Sequence, residues 1–138
     1  MDKKQARRES RITAIQAFFF YTEREKKIPL QECLKHITRE IDHKEAGELV
    51  TEILEKAEAH FGKIKLVIKA FATDVAYEKI APINRAILHL GLTEMKYLET
   101  PPVVVINEYI EIAKLFGEEK SAPLINAVLD SYKKELHL

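Results

Sequence analysis

Apolar residues recur along this chain at intervals of three and four, the spacing that gathers them on one side of an α-helix. Ile12, Ile15 and Phe19, with Ala14, Phe18 and Tyr21, lie in a segment from about Asp2 to Glu25 that holds neither Gly nor Pro. Pro29 interrupts it, and Leu30, Cys33, Leu34, Ile37 and Ile41 predict a short second helix. Asp42 is placed to cap a third, with a stripe of Ala46, Leu49, Val50, Ile53, Leu54, Ala57 and Phe61 that ends near Gly62. A fourth runs through Ile64, Val67, Ile68, Phe71, Val75 and Ala76. Pro82 suits the first turn of a fifth, which carries Ile83, Ile87, Leu88, Leu92, Met95 and Leu98 and halts before Pro101 and Pro102. Val103 to Ile106 have strand propensity. Ile106, Tyr109, Ile110, Ala113 and Phe116 nevertheless keep the helical period up to Gly117, and a lone strand here has no partner, so the segment is read as helix. Ser121 caps a last helix with Leu124, Ile125, Val128, Leu129, Tyr132 and Leu136. The pattern predicts an all-α fold, a compact helical bundle of about seven helices in a single domain over residues 1–138.

Composition narrows the function. The 138 residues are 46% apolar and 32% charged, enough for a core and a hydrated surface. Lys and Arg number 22, Asp and Glu also 22, so a polycation that coats nucleic acid is excluded and any nucleic-acid site must be a local patch. The single cysteine, Cys33, rules out an internal disulfide and a Cys-based zinc site, and fits a reducing compartment. No apolar run approaches the ~20 residues a membrane span needs. The N-terminus leads into charge rather than an apolar stretch, so no secretory signal is read there. A cytoplasmic location without membrane contact is expected.

The one concentrated patch lies in the first helix. Lys4, Arg7, Arg8 and Arg11 stand at i, i+3, i+4 and i+7 and share a face. Four like charges repel one another, and cations at a helix N-terminus oppose the macrodipole, so helix stability does not explain them. Arginine forks suit phosphate, and the aromatic residues that follow, such as Phe19 and Tyr21, suit stacking on bases. The patch reads either as a docking strip for a short single-stranded RNA or as a solvated basic tip. On the first reading, replacing Arg7 and Arg8 by Ala weakens RNA binding with little loss of stability.

Other chemistry is poorly supported. Glu40 and His43 form one Glu-x-x-His, where a di-metal bundle needs two plus further carboxylates. Cys33 lies on an apolar stripe without a paired base and reads as a buried structural residue. No phosphate-binding glycine loop and no nucleophile or zinc motif occurs, so no enzyme activity, metal or cofactor is expected. Asn107, Glu108 and Asn126 interrupt apolar helices and are expected to cap helix ends or to bond between helices. Gly91, in mid-helix, is expected to permit a close contact, within the core or with a partner.

Several segments together resemble the NusB family of bacterial transcription factors. They are Ala6-Arg7-Arg8 with Ala14-x-Gln16-Ala17, and Asn84-Arg85-Ala86-Ile87-Leu88 followed by Glu94. The most specific is Pro102-Val103-Val104-Val105-Ile106-Asn107-Glu108 with Glu111-Ile112-Ala113-Lys114 and Phe116-Gly117; Asn126-Ala127-Val128-Leu129 closes the series. The resemblance implies two small packed helical sub-bundles and no catalysis. It implies binding of the box A element of single-stranded RNA, typically in ribosomal RNA leaders. Binding is expected jointly with a small-subunit ribosomal protein, NusE, in an RNA polymerase antitermination complex with other Nus factors. Carried over by position, the RNA surface comprises Arg7 and Arg8 with Lys3 and Lys4, then Phe19, then Lys120 and Leu124; Arg11 joins it from the charge pattern. Lys120 replaces an acidic residue of some members and Leu124 an aromatic one, while Ala127 replaces a usual Gly and Tyr77 a frequent Trp. The family domain also occurs fused to methyltransferases, for which 138 residues are too few. The rival class is a protein–protein helical adaptor without RNA selectivity of its own.

Overall fold

The structure, a computed structural model, describes residues 2–37 and 44–136, except for the side chains of 44–46. Its seven α-helices are α1 (Lys3–Glu23), α2 (Leu30–Leu34), α3 (Lys44–Ala59), α4 (Phe61–Phe71), α5 (Pro82–Tyr97), α6 (Pro102–Leu115) and α7 (Ala122–Leu136). Single 3₁₀ turns stand at Tyr77–Lys79 and Glu119–Ser121, and no strand occurs among the described residues.

Local chemistry accounts for most boundaries. The Asp2 carboxylate accepts from the Gln5 N–H at 2.8 Å and caps α1. At the other end the Lys26 N–H donates to the Tyr21 carbonyl and the Glu25 N–H to that of Thr22, both at 3.0 Å. This is the Schellman closure, made with Glu25 (φ 54°) where glycine is usual and followed by Lys26 (φ 61°). Gly117, at φ 77°, follows α6 with the conformation glycine tolerates best. Pro82 and Pro102 open α5 and α6, where a missing N–H costs nothing. Val103 to Ile106 are helical as read.

Four expectations need correction. Phe61 and Gly62 do not end α3 but begin α4, because the chain breaks at His60 (φ −115°, ψ 20°) and restarts with the Ile64 N–H on the His60 carbonyl. The apolar period runs through both helices and does not mark that break. Val75 and Ala76 lie beyond α4 in the connection to the 3₁₀ turn. Ser121 is the last residue of a 3₁₀ turn, and its hydroxyl accepts from Asn84 Nδ2 at 2.7 Å. Asn107 and Asn126 are exposed rather than bonded between helices. Ile41, Asp42, and the Glu40 and His43 pair lie outside the described residues.

α5 organises the core. Every residue from Ala86 to Met95 is buried, as expected of a helix covered on all sides. α1, α2 and α3 pack as one group and α4, α6 and α7 as another, with α5 against both. A Cβ at Gly91 would meet Leu129 Cδ2 at 3.2 Å and the Tyr109 ring at 3.5 Å, so the close contact lies within the core. Cys33 is fully buried, and its thiol donates to the Ile28 carbonyl at 3.6 Å.

Candidate nucleic-acid interface

α1 carries its cations past α3, α5 and α6, and the packing divides them. Lys3, Lys4 and Arg7 are exposed. Arg8 is half-buried: its Nε and Nη2 donate to the two Glu108 oxygens at 3.1 and 2.6 Å. The hydrogen bond to Glu108 holds the Arg8 pKa above its ordinary value. Burial pushes the Glu108 carboxyl up, but the hydrogen bond and charge of Arg8, with Arg11 and Lys4 behind, leave it below the usual carboxylate range.

Arg11 departs from the exposure that the spacing suggests. It is 3% exposed, and its Nε and Nη2 donate to Glu94 at 2.9 and 2.7 Å. Glu94, at 0% exposure, also accepts from the Thr100 hydroxyl at 2.7 Å and from the Tyr109 hydroxyl at 2.9 Å. Arg11 Nη1 stands 3.6 Å from Glu108. Burial alone would lower the Arg11 pKa, yet the bond and charge of Glu94 raise it. The exposed part of the cationic face is therefore shorter than spacing implies: Arg11 is buried against carboxylates, and Arg8 is largely committed to one. The helical spacing was right; a common face simply does not ensure common exposure.

The exposed cations open onto a groove of about 1030 Å³ between the start of α1, α3 and the α5–α6 connection. Lys3, Lys4 and Arg7 line it with Lys56, Tyr97, Val104 and the edge of Arg11, while Glu48, Glu52, Glu99 and Glu108 add opposing charge. Tyr97 stacks on His60 with centroids 3.8 Å apart and planes 8° from parallel.

The remaining predicted contacts do not reach this groove. Phe19 is half-buried against the core further along α1. Lys120 is exposed in the second 3₁₀ turn, and Leu124 is half-buried in α7. Asn84 binds that turn through Ser121 and, at 3.3 Å, through Glu118. Asn84 and Glu94 are ten residues apart on α5, about 15 Å along its axis. Lys120 thus stands by one end of α5 and the Arg11 cluster by the other.

A second cleft, of about 540 Å³, was not anticipated. Phe61, Tyr77 and His89 wall it, and Lys26, Lys65 and Arg85 stand around it. These residues come from separate segments, so no local spacing announces them; only the aromatic and basic residue types were visible.

The comparisons with known proteins agree with this architecture. The sequence model of the NusB family matches residues 8–134. The chain belongs to the NusB family. A NusB transcription antitermination protein of Bacillus subtilis (strain 168) is 30% identical over 131 residues, covering 94% of this chain and 96% of that one. That of Bacillus pumilus (strain SAFR-032) is 38% identical over 105 residues, covering 72% and 77%. NusB from T. maritima superposes with a TM-score of 0.83 at 28% identity, over 94% of this chain and 91% of that one. A complex of NusB and NusE with dsRNA contains a chain of the same fold, with a TM-score of 0.79 at 21% identity over 95% and 98%. Both Bacillus relatives are transcription antitermination proteins. No described helix is long and apolar enough to cross a membrane.

Proposed function

We propose that this chain is an RNA-binding antitermination adaptor. It takes the box A element of single-stranded RNA together with the ribosomal protein NusE and acts within the polymerase antitermination complex, in the cytoplasm where transcripts are made. The observation that supports this most is the exposed cluster of Lys3, Lys4 and Arg7 at the mouth of a groove with an aromatic wall at Tyr97. Cations at that position oppose the α1 macrodipole, so helix stability does not account for their gathering there. Phosphate contacts position a strand without reading its sequence, so selectivity falls to base contacts and to the partner. With zero net charge, the protein alone binds modestly, and a partner holding the same strand raises affinity. Phe19, Lys120 and Leu124 belong to this proposal as contacts away from the groove, and Arg8 contributes only the edge that Glu108 leaves uncovered.

The test is a gel shift with box A RNA against a scrambled RNA, with and without NusE, for wild type and Lys4→Ala/Arg7→Ala. Each lost phosphate contact lowers the single-strand salt slope by about 0.7. Unchanged affinity and salt dependence in the double variant refutes the groove assignment. Binding of NusE with no preference for box A favours the protein–protein adaptor instead.

A further inference from the structure

The second cleft gathers rings and cations from separate segments. Phe61 lies parallel to Phe18 (centroids 5.8 Å, 11°) and to His89 (4.5 Å, 20°). Tyr77 meets His89 edge-on, with its hydroxyl 2.8 Å from His89 Nε2. Cations cover the outer faces of these rings. Lys26 Nζ is 3.3 Å from the Phe61 centroid and Lys65 Nζ 4.9 Å from that of Tyr77. Arg85 lies 5.5 Å from the same Tyr77 ring and donates through Nη1 to the Ile80 carbonyl at 2.8 Å, which fixes the turn that presents the tyrosine.

The positive charge is concentrated. Among the described residues, neither Lys26 nor Lys65 forms an ion pair, and Glu25 on the rim faces Lys27 at 3.2 Å. Glu78 also lines the cleft. Burial and then Lys65 lower the Lys26 pKa. Burial, followed by Lys26, Lys65 and Arg85, pushes His89 down to about 3, and its Nδ1 is buried without a partner. Lys26 reaches its ring through two consecutive non-glycine residues with positive φ, a conformation L-residues resist and that persists where its surroundings impose it.

We propose that this cleft receives one unstacked nucleotide of single-stranded RNA. The base takes a ring face now covered by a lysine, and the displaced ammonium groups of Lys26 and Lys65 hold its phosphate. This inference rests on the RNA-binding reading above. An acidic peptide would satisfy the ammonium groups but leave the ring faces unused, whereas a nucleotide uses both. Arg7 borders the first groove and Thr22 the second, fifteen residues apart on α1, or roughly 22 Å. At about 3.4 Å per stacked nucleotide, a strand that touches both must exceed roughly six nucleotides.

The chain contains no tryptophan, so Tyr77→Trp installs a single reporter in the cleft. Box A RNAs of about 4 and about 12 nucleotides, within the range single-strand sites occupy, are titrated against it and against Lys26→Ala/Lys65→Ala. The longer RNA is expected to quench the tryptophan and the shorter one to leave it bright. The double variant is expected to bind the longer RNA at least fivefold more weakly, with a salt slope smaller by about 1.4 for two lost contacts. If the longer RNA binds in an Arg7-dependent way while the tryptophan signal and the lysine variant are unaffected, the cleft is not an RNA site and the first groove stands. Quenching by NusE alone and not by RNA also overturns the proposal. If wild type binds no box A RNA with or without NusE, the RNA-binding reading fails and the cleft falls with it. Should the lysine variant not fold, the tryptophan response still decides.

Discussion

Replacing Arg11 separates the two roles that sequence and structure assign to it. In Arg11→Met the aliphatic part of the side chain is kept and the guanidinium is lost. Glu94 is then a fully buried carboxylate that has lost two of its four side-chain hydrogen bonds, keeping those from Thr100 and Tyr109. Breaking a buried pair by removing one partner costs about 3–5 kcal/mol, because the other charge stays desolvated. Domains of this kind have a total stability of about 5–15 kcal/mol, so the loss is about a third to a half of a mid-range value. For a chain of this length the melting temperature should fall by roughly 10–17 °C. Urea and thermal unfolding measure it, with far-UV circular dichroism confirming a helical native state. Glu94→Met alone should also destabilise, and the double variant should lose less than the sum, with a coupling of about 0.5–3 kcal/mol between neighbours in one network. A variant within 1 kcal/mol of wild type that binds RNA more weakly would refute the reasoning and restore Arg11 to the docking strip.

Arg7→Ala should leave stability within about 0.5 kcal/mol of wild type, whereas Arg8→Ala should cost about 1–3 kcal/mol by leaving Glu108 with only the 3.6 Å contact to Arg11; equal urea midpoints for the two variants contradict this. His89 titrates near 6.5 when unfolded and at about 3 when folded, so below pH 6.5 the unfolded chain binds the extra proton and stability falls towards pH 3, by up to about 1.4 kcal/mol per pH unit. His89→Phe should flatten the urea midpoint between pH 6.5 and 4, and an unchanged profile rejects the assignment. Gly91→Ala should lie within about 1 kcal/mol of wild type, since better helix propensity offsets the tight approach to the flexible end of Leu129. Gly91→Leu overpacks the same seam and should cost about 1–3 kcal/mol, which thermal melts of the pair can check.

The helices were readable because each is a local matter. The stripe of α5, the prolines that open α5 and α6, the glycine that follows α6 and the Asp2 cap all act within a few residues of their neighbours. The break at His60 was not readable, since α3 and α4 bury faces in one continuous period. The cationic face was legible as a face but not as a surface. Arg7 and Arg11 share the side of α1 that spacing assigns, yet one is exposed and the other sealed by a carboxylate 83 positions away. The second cleft was illegible for the same reason, because Lys26, Phe61, Tyr77 and His89 meet only after α1, α4 and α5 have packed.

By itself, then, the order of residues determined the helical class, the approximate helix limits, the buried stripes and the concentration of arginine near the start. Tertiary packing decided which of those arginines meet water, which carboxylates they neutralise, where Gly91 makes its close approach, and that lysines and rings from separate segments gather at the far end of α1. The division follows from range. Periodicity and capping depend on neighbours three or four positions apart, whereas exposure and charge pairing depend on which helices become neighbours in space.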